Sequence, residues 1–174
     1  IPLIAHSIIY ALKCVASENI WVNTDDSEIA KVAKKYGVNI TIRPEELGSD
    51  TTSTAEVLHY QQSFFDENNI ECDAIILLQA TNPLRPNNLL SVAINQFESS
   101  ERNSLASFTP LNKKFGRITA DFYHPSNYTP GQRMQDIDAE YYEDGLIYIT
   151  NRASILSKEV ITSDVFPLIS EGIE

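Results

Sequence analysis

Apolar residues at positions 4, 8, 11, 12 and 15 recur at helical spacing, and Pro2 suits a first helical turn, so a helix is predicted to open the chain. The run "NIWVNT" (19–24) has the β-rich composition of a strand. Asp25 and Glu28 then stand in the D-x-x-E arrangement of a capping box, ahead of a helix with Ile29, Val32, Ala33 and Tyr36 on one face and Gly37 at its end. "VNITIR" (38–43) predicts a second strand and "STAEVLHYQQSFFDENN" (53–69) a third helix. "DAIILLQ" (73–79) is a continuous apolar run of the kind buried on both faces of a sheet. A fourth helix is expected from about Pro86 to Phe97, then the strand "SLASFT" (104–109).

Four helix–strand pairs in succession predict an α/β fold, a doubly wound and mostly parallel sheet covered by helices. From Pro110 to Glu143 the periodicity breaks, with aromatic, polar, Pro and Gly residues mixed. A structureless stretch of that length does not suit a compact domain, so residues 110–143 are expected to form a hairpin or inserted arm that packs against a partner. "GLIYIT" (145–150) restores a strand, "NRASILS" a short helix and "VFPLIS" a final strand. The 174 residues are read as one domain carrying that arm.

Composition narrows the function. A hydrophobic share of 43% supports a packed core, and no stretch approaches the roughly 20 apolar residues of a membrane span. The opening residues lack the basic start and small-residue cleavage site of a secretory signal, so a cytoplasmic protein without membrane contact is expected. The net charge of −11 argues against general affinity for nucleic acid. An anionic substrate must then be held locally, by selected cationic side chains, backbone amides and a divalent cation. Cys14 and Cys72 have no metal or disulfide spacing and are expected as buried thiols. His6, His59 and His124 share no ligand spacing and support neither a zinc site nor a catalytic triad. The sequon matches at Asn39 and Asn127 are read as chance.

In doubly wound sheets ligands gather beyond the carboxyl ends of the strands, and three polar loops fall there: 24–27, 43–54 and 79–85. In "ILLQATNPLRP" the apolar run stops at Gln79 and gives way to Thr81, Asn82 and Arg85, more polarity than packing requires. Gln79 could read a base or sugar edge, with Arg85 neutralising a charge; equally, Asn82-Pro83 is a turn signal and Arg85 could pack over the sheet edge. In "RPEELGSDTTST" the hydroxyls entering a helix suit either an anion contact or an N-cap at Ser53 or Thr54. Asp25 and Asp26 resemble a metal pair, but the capping-box spacing accounts for Asp25 without an ion.

"VNTDDSEIAKVAKKYGVNITIRPEELGSDTTST", "ILLQATNPLR" and "EDGLIYIT", in this order and spacing, resemble the acylneuraminate cytidylyltransferases, the CMP-sialic acid synthetases, over about residues 1–170. The resemblance implies a Rossmann-like nucleotidyltransferase that joins CTP to a nine-carbon keto sugar acid, with Mg²⁺ as cofactor and a homodimer as the working unit. By motif it implies nucleotide binding by Arg43 and Thr54, and sugar-acid binding by Gln79, Thr81, Asn82 and Tyr148. Arg133 and Lys113 (or Lys114) on the arm would bind the sugar carboxylate across the dimer. Asn82 replaces the family's usual serine and Ala80 its usual proline, which leaves pseudaminic, legionaminic or 3-deoxy-octulosonic acid as alternative acceptors. The family's Gly-rich phosphate loop and its metal-binding aspartates are expected outside these residues, so the chain as given is expected to be inactive alone. A non-catalytic nucleotide or sugar-acid binding domain is the reading of a different class.

Overall fold

The computed structural model describes residues 1–49 and 51–170. It contains helix α1 (Leu3–Ala11), strand β1 (Trp21–Thr24), α2 (Ser27–Lys35), β2 (Asn39–Ile42), α3 (Thr54–Glu67), β3 (Ala74–Leu77), α4 (Leu89–Ser99) and β4 (Ser104–Pro110). A hairpin follows, β5 (Gly116–Thr119) and β6 (Phe122–Pro125), then the long β7 (Tyr141–Asn151), α5 (Arg152–Leu156) and β8 (Phe166–Ile169). The α/β order read from periodicity is the one observed, and the break after Pro110 holds a hairpin.

Besides the β5–β6 hairpin, the strands form a two-stranded sheet, in which β1 and β2 pair in parallel, and a second, four-stranded sheet of order β3-β7-β4-β8. In the second sheet β4 and β8 are parallel, while β7 lies between β3 and β4 and is antiparallel to both. Three of its four strands run in one direction, but two of its three pairings are antiparallel, so the sheet is mixed and not the mostly parallel one expected. The cause is the hairpin segment, which returns the chain beside β4 without the helical crossover that a parallel neighbour requires.

Two apolar clusters fill the interior. Ile8 and Ala11 of α1, Ile20, Val22, Ala33 of α2 and Val38 form one; Tyr10, Leu89, Leu90, Ala93, Leu105, Ile147, Ile149 and Leu168 lie in the other. Val15 and Leu78 pack against both, so the core is continuous. Each fully buried Leu or Ile contributes about 1.5–3 kcal/mol through area removed from water. On the other flank Trp21 meets Phe64 and Phe65 of α3 edge-on, at 5.7 and 5.1 Å between ring centroids.

Four expectations are corrected. Strand β3 is half-buried along its length rather than enclosed, because it stands at the edge of its sheet. Cys14 is exposed beyond the last turn of α1, and Cys72 is partly exposed. The cap of α2 is Asp26, whose Oδ1 accepts from the amides of Glu28 and Ile29 at 2.6 and 3.2 Å; Asp25 is drawn away by Arg43 at 2.7 Å. Helix α4 begins at Leu89, later than Pro86, and no side chain of its own N-cap residue Asn88 serves it. Its start is held instead by Tyr10 of α1, whose hydroxyl accepts from the Leu90 amide at 3.0 Å and donates to the Pro86 carbonyl at 2.8 Å. Ser53, by contrast, forms a complete capping box with Glu56 at the start of α3.

A buried amide that loses its partner costs about 1–3 kcal/mol, so Tyr10→Phe is expected to lower stability by that amount in urea denaturation. A change below about 0.5 kcal/mol would contradict the role of Tyr10 as the cap of α4.

Candidate functional site

Two adjoining clefts open where β2, β3 and β4 end. One, of about 240 Å³, is lined by Arg43 after β2, Leu47, Gly48, Ser49 and Thr52, Thr54 and Val57 of α3, and Leu77 and Gln79 of β3 and its exit. The other, of about 310 Å³, is lined by Asn82, Pro83, Leu84, Thr109, Tyr142, Asp144 and Leu146. This is the crevice beyond the carboxyl ends of the strands where ligands of open α/β sheets collect.

In the first cleft Arg43 is oriented by Asp25, Nη2 to Oδ1 at 2.7 Å, and by the Asn23 carbonyl, with Nη1 at 3.3 Å. Gly48 permits this, since a Cβ there would lie 2.2 Å from Asp25 Oδ2. Asn23 in turn donates to Gln61 Oε1 at 2.8 Å. Two donors in this polar row, Arg43 Nε and Gln61 Nε2, are buried without a protein partner. Arg43 and Thr54, expected together, do line one wall system, with Thr54 exposed at the start of α3.

Gly145 stands between Asp144 and Leu146, two lining residues of the second cleft. Between the register pairs Ala106–Tyr148 and Phe108–Glu143, Ser107 of β4 faces the four residues 144–147 of β7, so β7 bulges. Gly145 takes φ +70°, and a Cβ on it would lie 2.6 Å from Asn82 Nδ2, 3.2 Å from Gln79 Oε1 and 3.8 Å from the Tyr148 hydroxyl. Three residues expected on one site thus converge on the same point. Thr81 is exposed beside them. Asn82 Nδ2 donates to the carbonyls of Gly145 at 2.8 Å and Asp144 at 3.3 Å. Burial, then the negative charge of Glu143, pushes the Tyr148 phenol up from its ordinary pKa.

Asp144 is a residue that sequence reasoning missed. Its carboxylate accepts from the Ser107 and Ser170 hydroxyls, from Thr109 at 2.9 Å and from the Leu146 amide at 3.0 Å. The Asp-Gly dipeptide inside an apolar strand was the available signal, since an isolated glycine there marks a bulge. Arg85 lines neither cleft: it is buried and donates to the Leu146 and Gln79 carbonyls. Lys113 and Arg133 line neither cleft; Arg133 is exposed and paired with Asp136 at 2.7 Å. Among the described residues no group of three or more His, Cys, Asp and Glu is placed to hold a metal ion, and no helix is long and apolar enough to cross a membrane.

A family model described as "Cytidylyltransferase" matches residues 1–168. The N-acylneuraminate cytidylyltransferase of Streptococcus agalactiae serotype III is 27% identical over 173 residues, covering 95% of this chain. The chain spans 41% of that relative's length. The CMP-N,N'-diacetyllegionaminic acid synthase of Legionella pneumophila is 28% identical over 180 residues, covering 99% of this chain and 77% of its own. Among solved structures, 4-diphosphocytidyl-2C-methyl-D-erythritol synthase superposes with a TM-score of 0.70 at 13% identity, covering 98% of this chain and 80% of its own. CMP:2-keto-3-deoxy-manno-octonic acid synthetase, complexed with CTP, does so at 0.65 and 13% identity, covering 97% and 80%. At these identities the two superpositions establish the shared fold.

Gly145→Ala is expected to destabilise the protein by about 1–3 kcal/mol, from a left-handed backbone that alanine resists and from the approach to Asn82. Removing the amide in Asn82→Ala should shrink that cost by at least about 0.5 kcal/mol in a double-mutant cycle followed by denaturation. Strictly additive losses would show that the two residues do not share the space.

Proposed function

The chain belongs to the cytidylyltransferase family, and we propose that it carries much of the base and sugar pockets of an enzyme transferring CMP from CTP to an N-acylneuraminate. The anomeric hydroxyl of the acid attacks the α-phosphorus, a new P–O bond forms, and the bond to the β-phosphate oxygen breaks to release pyrophosphate. No covalent protein nucleophile takes part. Catalysis then rests on holding the two reactants in line and on stabilising charge that develops on the phosphoryl oxygens.

The observation that carries this reading is the meeting of Gln79, Asn82 and Tyr148 over Gly145, beside the cleft that holds Arg43 and Thr54. In the proposed arrangement Arg43 and Thr54 hold the nucleotide, while Gln79, Thr81, Asn82 and Tyr148 face the acid. The relatives' names point to sialic acid and its legionaminic analogue as the acceptor class. The amide of Asn82 occupies space that a smaller side chain would leave open over Gly145, and this favours a related keto sugar acid as the second reading. Mg²⁺ is the cofactor proposed for the reaction, where it would neutralise the triphosphate. The described residues assemble no set of ligands for it.

A homodimer is also proposed. The hairpin segment exposes Ile118, Phe122 and Tyr123 at 78%, 70% and 49%, a surface that a second copy would cover while bringing Lys113 and Arg133 toward the acid. Light scattering of the full-length protein at micromolar concentration should give the mass of two chains; a monomer removes the idea.

Pyrophosphate release by the full-length protein with CTP, Mg²⁺ and a panel of nonulosonic and octulosonic acids tests the reaction. One accepted acid identifies the substrate, and silence across the panel with CTP still bound overturns the transferase reading. In Gln79→Ala, turnover of the acid should fall at least about tenfold, the worth of one lost hydrogen bond to a charged group, with CTP affinity preserved. Equal losses in both would show that Gln79 is misassigned.

A further inference from the structure

Arg85 is 9% exposed, yet no carboxylate is paired with it among the described residues. Its guanidinium donates instead to three separate parts of the chain. Nε reaches the Leu146 carbonyl at 2.7 Å, Nη2 the Gln79 carbonyl at 2.7 Å and Nη1 the Ser7 hydroxyl of α1 at 3.1 Å. The Tyr10 ring lies 5.7 Å from the guanidinium carbon, a cation–π distance, and Tyr10 itself holds the start of α4.

A buried, unpaired cation is an expensive way to fill space, and an apolar side chain of similar size would cost less. What an apolar group lacks is the planar fork, which fixes several acceptors at set angles at once. Here two of those acceptors are main-chain carbonyls flanking the proposed acceptor pocket: Gln79 at the exit of β3 and Leu146 in the β7 bulge, next to Gly145. Asn82 ties the same loop to the Asp144 and Gly145 carbonyls.

We propose that Arg85 is a positioning residue for acceptor recognition, fastening the Gln79 loop to the Gly145 bulge and so setting where Gln79, Asn82 and Tyr148 meet an anionic sugar acid. This rests on the functional reading given above. The guanidinium touches neither reactant and acts through the backbone it holds. Gln79 also borders the nucleotide cleft, but Arg43 after β2 and the residues from Leu47 to Val57 that make up most of its lining are not held by Arg85, so its loss falls more heavily on the acid than on the nucleotide.

The test uses the full-length protein and its accepted acid. Lysine keeps the charge but presents a single point donor, so Arg85→Lys should raise KM for the acid at least about tenfold while KM for CTP stays within about twofold. In Arg85→Ala, millimolar methylguanidinium should restore part of the acid's affinity. An unchanged acid KM in folded Arg85→Lys overturns the proposal. So does a parallel decline for both substrates that follows the loss of thermal stability, because that leaves Arg85 with a role in folding alone. If the wild-type protein turns over no acid, the functional reading fails separately. The clamp is then judged by hydrogen exchange: faster exchange over 143–147 in Arg85→Lys, with β1 and β2 unchanged, supports it, and unaltered exchange there overturns it.

Discussion

The main chain of β7 at residues 144–147 has to satisfy its polar groups without a matching stretch of β4, since Ser107 alone stands opposite. Buried amides and carbonyls without partners are rare because each one carries its full desolvation cost. The chain meets this demand with side chains. Asn82 serves the carbonyls of Asp144 and Gly145, Asp144 the amide of Leu146, Arg85 the carbonyl of Leu146, and Ser107 the amide of Ile147 at 3.1 Å. Those same contacts draw the loop after β3 onto β7 and bring Gln79, Asn82 and Tyr148 to one point. Ser170, reached by Asp144, joins the end of β8 to the same knot.

The polar run after β3 therefore has two kinds of member. Arg85 is turned wholly into the protein, Asn82 gives its amide nitrogen to the β7 carbonyls while it also lines a cleft, and Gln79 lies along the wall of an open cleft. The packing alternative raised by the sequence at this loop describes Arg85, and the open cleft beside Gln79 leaves room for the other. The proposed cytidylyltransferase chemistry uses that division: one set of side chains fixes geometry, so the other can face a reactant with little reorganisation.

Most of the fold was legible because its periods are local. The helices α1 to α4 announce themselves through apolar spacing, Gly37 and the N-cap candidates Ser53 and Thr54, and the strands through short β-branched runs. What failed to show depends on contacts distant in sequence. Asp25 fits a capping box, but Arg43 captures it from across β2, leaving the cap to Asp26. Helix α4 is capped by Tyr10, 80 residues away from Leu90, and nothing near Asn88 signals this. The reversed direction of β7 and the half-exposure of β3 follow from strand order, which periodicity does not encode. Within the site, the strand-end motif exposed Gln79 and Asn82, while Asp144 became visible only once the bulge around Gly145 was in view.

The central claim is that the point over Gly145 is where an acceptor acid meets the protein, next to a nucleotide held by Arg43 and Thr54. A crystal structure of the full-length protein with CTP and the acid it accepts tests this most directly. The account predicts the cytosine in the cleft between Arg43 and Thr54, and the acid within hydrogen-bonding distance of Gln79 and Tyr148. An acid bound elsewhere, with Gln79, Asn82 and Tyr148 making no contact to it, would contradict the account.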